Sequence, residues 1–204
     1  MSDDVYTLPP GLPVPEDDGA ADHLVGLELP DLTLASSLGD VRVGDFDVLY
    51  LYPRSGKPGV PLLHGWDETP GARGCTPQSC AFRDAHGELQ ALGVRVAGLS
   101  AQTLDDQLEF AERNAMPFPV IADPERRLGA ALNLPTFEIA GLTLYKRLTL
   151  VAEDARIVKV FYPVFPPDAN AGDVLRWLQD RISRSGAGKA DASAPDRASS
   201  SLRP

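Results

Sequence analysis

The sequence is poor in cysteine: among 204 residues only Cys75 and Cys80 carry a thiol. Two thiols are too few for a disulfide scaffold, and a chain of this length can bury a core without one. Their use is therefore expected to be chemical rather than structural. Histidine is nearly as scarce, and His23, His64 and His86 form no spaced cluster with the thiols, which argues against a zinc site. No metal and no cofactor is expected. Basic residues are also lacking where a nucleic acid or an anionic membrane would want them. The formal net charge is −10, and no Lys or Arg precedes Arg42. That acidic start is the opposite of a signal or transit peptide. No apolar run approaches the roughly 20 residues of a membrane helix. These absences point to a cytoplasmic protein in a reducing compartment, with no nucleic-acid and no membrane partner.

What is present divides the chain into three parts. Residues 1–25 ("LPPGLPVPEDDGAAD" at their centre) read as an extended or loosely docked acidic, Pro-rich arm. Residues 183–204 are rich in Ser, Ala and Gly with almost no large apolar side chain, and are expected to be a disordered tail. Between them, residues 26–182 alternate strand and helix patterns. "FDVLYLY" fits a strand buried on both faces. "CAFRDAHGELQALG" reads as a helix stopped by Gly93. "VRVAGLS" reads as a strand. "TLDDQLEFAERNA" reads as a helix capped by Thr103, with Leu104, Leu108 and Ala111 on one face. "FPVIAD" is a third strand, and "PERRLGAALN" a short helix with Pro124 near its first turn. "LYKRLTLVAEDARIVKVFYPV" reads as a hairpin turning at "EDAR", and "NAGDVLRWLQDRIS" as a closing amphipathic helix. The pattern implies an α/β domain with a mixed central sheet and helices on both faces, in the order of a thioredoxin-like fold.

The two thiols admit several readings. A free cysteine is often only a small buried hydrophobe. Cys75, however, lies between a Gly-rich turn and the first turn of a helix, where unpaired backbone N–H groups and the helix dipole favour an anion. A thiolate is such an anion and is the reactive form of the side chain. Cys80 follows a little over one helical turn later, in the manner of a redox cysteine with a resolving partner. In an intact helix, five residues place the two Cα atoms roughly 8–9 Å apart, beyond the span of about 7 Å that a disulfide tolerates.

The stretch "VLYLYPRSG…PGARGCTPQSCAFRD" resembles the peroxiredoxins, specifically the Q-type group also called bacterioferritin-comigratory proteins. "CTPQSC" matches that group's C-T-x-x-x-C stretch. "VRVAGLSAQTLDDQLEFAERNAMPFPVIADPERRLGAAL" and "KRLTLVAEDARIVKVFYPV" match later segments in order, so that the resemblance covers roughly residues 26–180. It implies that Cys75 attacks a peroxide and becomes a sulfenic acid. It further implies that Cys80 condenses with Cys75 to a disulfide, and that a thioredoxin-like reductant restores both. Hydrogen peroxide and organic hydroperoxides would be the substrates, and a monomer is expected because the resolving thiol is in the same chain. Arg147 stands where the group carries an arginine on a strand reaching the cysteine, where it would stabilise thiolate and peroxide. Without the resemblance it reads as a solvated arginine beside Lys146.

The sequence departs from the family's Pro-x-x-x-Thr-x-x-Cys motif. Ala72 stands three residues before Cys75 in place of Thr, and Glu68 seven before in place of Pro. An insertion, "RSGKPGVPLLHGWDETPGAR", separates the strand from the cysteine. Either Thr69 or Thr76 is left to supply the hydroxyl. The insertion, with Trp66, reads either as a wall or lid near the site or as a surface loop packed on the body. Two further functions fit a thiol pair on this fold: a thiol–disulfide oxidoreductase, against which the missing CxxC speaks, and a redox sensor without peroxidase turnover.

Overall fold

The computed structural model describes residues 5–191. A short 3-10 turn at Asp22–Leu24 precedes a hairpin of β1 (Thr33–Ser36) and β2 (Gly39–Arg42). Then follow β3 (Val48–Leu51), α1 (Cys75–Ala91), β4 (Val96–Ser100), α2 (Leu104–Arg113), β5 (Val120–Ala122) and α3 (Arg127–Leu132). A second hairpin of β6 (Thr136–Ile139) and β7 (Leu142–Tyr145) leads to β8 (Leu148–Glu153), β9 (Arg156–Phe161) and α4 (Asn170–Asp191). The main sheet runs β2-β1-β5-β4-β3-β8-β9, and β6-β7 form a separate ribbon. β3, β4 and β5 are parallel, while β8 pairs antiparallel with β3, and β1 with β5. The expected mixed sheet of a thioredoxin-like α/β fold is thus present, with α1 following β3, an inner strand between β4 and β8.

The apolar run "VLYLY" explains that inner place. Val48, Tyr50 and Tyr52 point to one face and pack with Phe82, Leu89, Phe110 and Val174 from α1, α2 and α4. Leu49 and Leu51 point to the other face and pack with Leu128 and Leu132 of α3 and with Leu24, Leu29 and Leu32 of the N-terminal part. A strand covered on both faces needs apolar side chains at every position, because its alternate residues enter different halves of the core. Gly98 on β4 keeps the sheet clear beneath Tyr50: a Cβ there would lie 2.5 Å from the Tyr50 ring. The Tyr50 ring stacks on Phe82 of α1 at 4.3 Å.

Several expectations are corrected. In α2 Thr103 caps the helix as expected, accepting from Asp106 N–H, but Leu104 and Leu108 are exposed. Gln107, Phe110 and Ala111 are buried instead. Gln107 can take the core face because its amide is satisfied: it accepts from Tyr52 OH and donates to Ser100 Oγ and the Ile121 carbonyl. α3 starts at Arg127, later than Pro124, because the Asp123 carboxylate accepts from the N–H groups of Arg127 and Leu128. The hairpins β1-β2 and β6-β7 have no counterpart in the expected elements.

The arm is docked rather than loose over its described part. Val5, Ala21 and Leu24 are buried, His23 Nε2 lies 3.0 Å from the Leu132 carbonyl, and the Asp18 carboxylate accepts from Tyr162 OH and pairs with Lys146. At the other end α4 runs on to Asp191, past the expected boundary at 182. A helix nucleated on a packed face extends at little further cost. Of the expected arm and tail, residues 1–4 and 192–204 lie outside the described residues.

Candidate active site

Cys75 is the first residue of α1 and is buried, with 4% of its surface exposed. Gly74 before it adopts φ +100° in the left-handed region, which an L side chain rarely enters. A Cβ there would also lie 2.3 Å from Pro167 and 2.8 Å from Leu8. The residue at this turn must therefore be glycine, and it offers the helix no side-chain cap. Pro77 suits the first turn because it has no N–H to leave unpaired.

Arg147, immediately before β8 rather than on it, is brought to this turn and is 3% exposed. Its Nη2 lies 3.2 Å from Cys75 Sγ, 3.0 Å from the Ala72 and Arg73 carbonyls and 3.2 Å from that of Gly71. The preceding loop thus wraps its carbonyls around one guanidinium nitrogen, and the sulfur completes the cage. Nη1 donates to Gln78 Oε1. Gln78 Nε2 in turn donates to Asn170 Oδ1 at 2.9 Å, which also accepts from Thr149 Oγ1 at 2.7 Å. Asn170 opens α4 and Thr149 lies on β8, so one buried polar chain fixes Arg147 against α1, α4 and the sheet. Among the described residues no carboxylate is a partner of Arg147, and its Nε is buried without a partner. A second arginine, Arg73, is buried and pairs with Asp67 of the insertion at 3.2 Å.

Cys80, also on α1, is half-buried, and neither thiol is bonded to the other. Its Sγ lies 3.9 Å from Asn114 Oδ1. Burial pushes the Cys80 thiol above its ordinary pKa, against the opposing pull of Arg83. Beneath the helix, burial likewise holds the phenols of Tyr50 and Tyr52 above the ordinary tyrosine range, so neither ionises near neutral pH.

The two candidate hydroxyls are separated. Thr69 Oγ1 donates to the Gly65 carbonyl at 2.7 Å, and Thr69 lines a cleft on the side of Arg147 that does not include Cys75. Thr76 is 2% exposed and lines the small crevice that Cys75 lines. At the position of the family's Thr, the backbone of Ala72 is what meets the site: its carbonyl accepts from Arg147 and lies 3.6 Å from Cys75 Sγ. In the insertion, Trp66 is buried against Leu144 and Ala72 and also lines the Cys75 crevice. Gln78 and Asn170 were not singled out from sequence. The signal for Gln78 was available: a polar residue three after Cys75 sits on the same helix face. Nothing in the sequence marks Asn170 as its partner.

The chain is similar to several known proteins. The chain is 32% identical over 125 residues to the chloroplastic peroxiredoxin Q of Sedum lineare, covering 61% of this chain and 64% of that protein. It thus spans less than two thirds of the length of that relative. It is 27% identical over 165 residues to peroxiredoxin Bcp of Bacillus subtilis, covering 76% of this chain and 95% of that protein. The fold superposes on peroxidoxin BcpB of Mycobacterium tuberculosis with a TM-score of 0.62 at 24% identity, covering 76% and 96% of the two chains. It superposes on the bacterioferritin comigratory protein of Xanthomonas campestris, solved for insight into alkyl peroxide reduction, with a TM-score of 0.61 at 22% identity, covering 76% and 97%. Residues 25–161, more than half of the chain, match the AhpC/TSA family, and the chain belongs to that family.

Proposed function

We propose that this protein is a thiol-dependent peroxidase of the two-cysteine kind. The observation that carries the reading is the Arg147 guanidinium, 3.2 Å from Cys75 Sγ inside a cage of carbonyls, with no carboxylate among the described residues to neutralise it. An unmatched buried charge is costly, and an anionic sulfur is the group at hand to balance it. The Cys75 thiolate attacks one oxygen of a hydroperoxide, the O–O bond breaks, and the other oxygen leaves as alkoxide or hydroxide and takes up a proton. Guanidinium N–H groups fixed at the sulfur stabilise the charge that develops on these oxygens. The products are the Cys75 sulfenic acid and an alcohol or water.

Cys80 then displaces water from the sulfenic acid and forms the Cys75–Cys80 disulfide. With both residues on one intact helix, the first turns of α1 must open for this bond to form. A thioredoxin-like dithiol reduces the disulfide, returns both thiols and leaves as its own disulfide. The resolving thiol is in the same chain, so the cycle needs no second subunit, only a reducing compartment. The alkyl peroxide reduction described for the bacterioferritin comigratory protein of Xanthomonas campestris supports organic hydroperoxides as substrates, with hydrogen peroxide the smallest peroxide the same chemistry takes.

The test is NADPH consumption in the presence of thioredoxin and its reductase when hydrogen peroxide is added. The wild type is expected to turn over and Cys75→Ser to be inactive. No consumption by the wild type, or undiminished consumption by Cys75→Ser, would reject the reading.

A further inference from the structure

The N-terminal segment reaches the reactive thiol. Val5 is buried, with 7% of its surface exposed, although it stands at the start of the described chain. It lines the same crevice as Cys75 and Thr76. Its packing there is tight: a Cβ on Gly56 would meet Val5 Cγ1 at 2.8 Å, and one on Gly74 would meet Leu8 Cδ2 at 2.8 Å. Polar contacts tie the segment down between these points. Arg113 Nη1 donates to Tyr6 OH at 3.0 Å, and Arg113 Nη2 donates to the Gly56 carbonyl at 2.9 Å. The arginine also lies over the Tyr6 ring, 5.8 Å from its centre. One side chain therefore clamps Tyr6 to the loop on which Val5 rests.

The consequence is a matter of volume. The crevice at Cys75 measures only about 10 Å³, close to the least space that holds one water. A far larger cleft of about 320 Å³ adjoins it and shares Arg54, Gly56, Leu62 and Trp66 as walls. That is within the range of small-molecule sites, but Cys75 is not among its walls. Val5 packs directly on Gly56, which lines both spaces.

We propose that Val5 is a specificity-determining residue, a steric gate that limits the reactive thiol to the smallest peroxides while it is seated and admits bulky organic hydroperoxides from the adjoining cleft when it is withdrawn or trimmed. This rests on the peroxidase reading above. The gate acts on size alone, so its mark is a change in selectivity between peroxides rather than a change in rate with all of them.

The experiment measures kcat/KM for hydrogen peroxide and for cumene hydroperoxide in wild type, Val5→Ala and Val5→Phe. The ratio of cumene to hydrogen peroxide is expected to rise about tenfold in Val5→Ala and to fall in Val5→Phe, the scale that a methylene or two exerts in an apolar pocket. Tyr6→Phe removes the hydroxyl that Arg113 holds without touching the crevice wall, and should shift the ratio in the direction of Val5→Ala but by less. A constant ratio across these variants, or an equal change with both peroxides, overturns the gate. A second readout needs no turnover: alkylation of Cys75 in the Cys80→Ser background by iodoacetamide and by the bulkier N-ethylmaleimide. Val5→Ala should accelerate the maleimide more than the acetamide. If the wild type reduces no peroxide yet labelling responds in this way, the gate stands and the peroxidase reading falls. If peroxides are reduced and neither ratio moves, the gate falls alone.

Discussion

Cys75 and Cys80 share one helix, a little over one turn apart, and have almost nothing else in common. Around Cys75 the first turn is pinned from several sides: by Arg147 and the carbonyls of 71–73, by Gln78 through Asn170 to β8, and by Leu8 and Pro167 against Gly74. Around Cys80, among the described residues, the polar contact is one long one to Asn114, with Arg83 nearby donating to the Asn114 carbonyl and no cation hydrogen-bonded to the sulfur. A buried arginine holds the first thiol in a polar cage, whereas burial opposes ionisation of the second. The same residue type is thus set up for two roles by its surroundings. A thiol prepared to react first needs fixed donors, and a thiol that reacts second, after the helix gives way, is better left neutral and unheld until then.

The largest effect separates the two roles directly. Cys80→Ser is expected to lose thioredoxin-linked turnover almost completely while its Cys75 still consumes one equivalent of peroxide. Intact mass should show one added oxygen on this variant, rising to two with excess peroxide. Sustained turnover without Cys80 would show that the contrast between the thiols has no mechanistic meaning.

Removing the cage comes next. Arg147→Ala should lower the second-order rate of Cys75 with peroxide by roughly 10²–10³, the usual consequence of deleting a fixed charge-stabilising donor. Arg147→Lys keeps the charge but not the planar fork, and should recover only part of that loss. Stopped-flow measurement of the single oxidation step in the Cys80→Ser background isolates this effect from resolution. A rate within twofold of the parent for Arg147→Ala would make the arginine a structural residue only.

Gln78 sharpens the same point at smaller scale, because it touches Arg147 and Asn170 but not the sulfur. Gln78→Ala leaves Arg147 Nη1 buried without its acceptor and leaves Asn170 Oδ1 with Thr149 as its remaining donor, which should destabilise the fold by about 1–3 kcal/mol. The oxidation step should slow by about tenfold as Arg147 loses one of its supports, an effect that a positioning residue transmits through its partner. Gln78→Glu restores an acceptor for Arg147 but sets a carboxylate against the guanidinium in competition with the sulfur, and should not regain the rate. Equal rates for Gln78→Ala and wild type, with stability lowered, would confine Gln78 to the fold.

How much of this was legible in the sequence follows from where the determinants lie. The helix start at Cys75, the doubly covered strand at Val48–Leu51 and the β8-β9 hairpin are local, written in spacing and turn residues. The contact of Arg147 with Cys75 came from resemblance, since the two are 72 residues apart in sequence and no periodicity links them. The faces of α2 were misread because Gln107 is polar, and only the tertiary partners that satisfy its amide make it a core residue. The arm, read as extended or loosely docked, is held more firmly than that because Val5 and Leu24 bury themselves against residues distant in sequence. The substitution of Ala72 for the expected Thr was visible, but that its carbonyl meets both Arg147 and the sulfur could be seen only in three dimensions.

The smallest expected effect concerns the less-held thiol and its pH dependence. Burial raises the Cys80 thiol above its ordinary value in the folded chain. In the unfolded chain it titrates near the ordinary cysteine value of about 8.5. As pH rises through that value the unfolded state gives up this proton first, while the folded state still holds it. Fewer protons bound in the unfolded state means that stability falls with rising pH, from the unfolded value until the folded one is passed. Below that window Cys80 is neutral in both states and contributes no slope. Cys80 is only half-buried, so the loss is small and amounts to a shallow fall in Tm. The measurement is the difference in Tm between the reduced wild type and Cys80→Ser at pH 7.5 and at pH 9.5, in which the titrations common to both chains cancel. The wild type should lose more Tm over this interval than the variant. Parallel curves would mean that the two states hold the Cys80 proton equally, and the contrast between the two thiols would then rest on Arg147 alone.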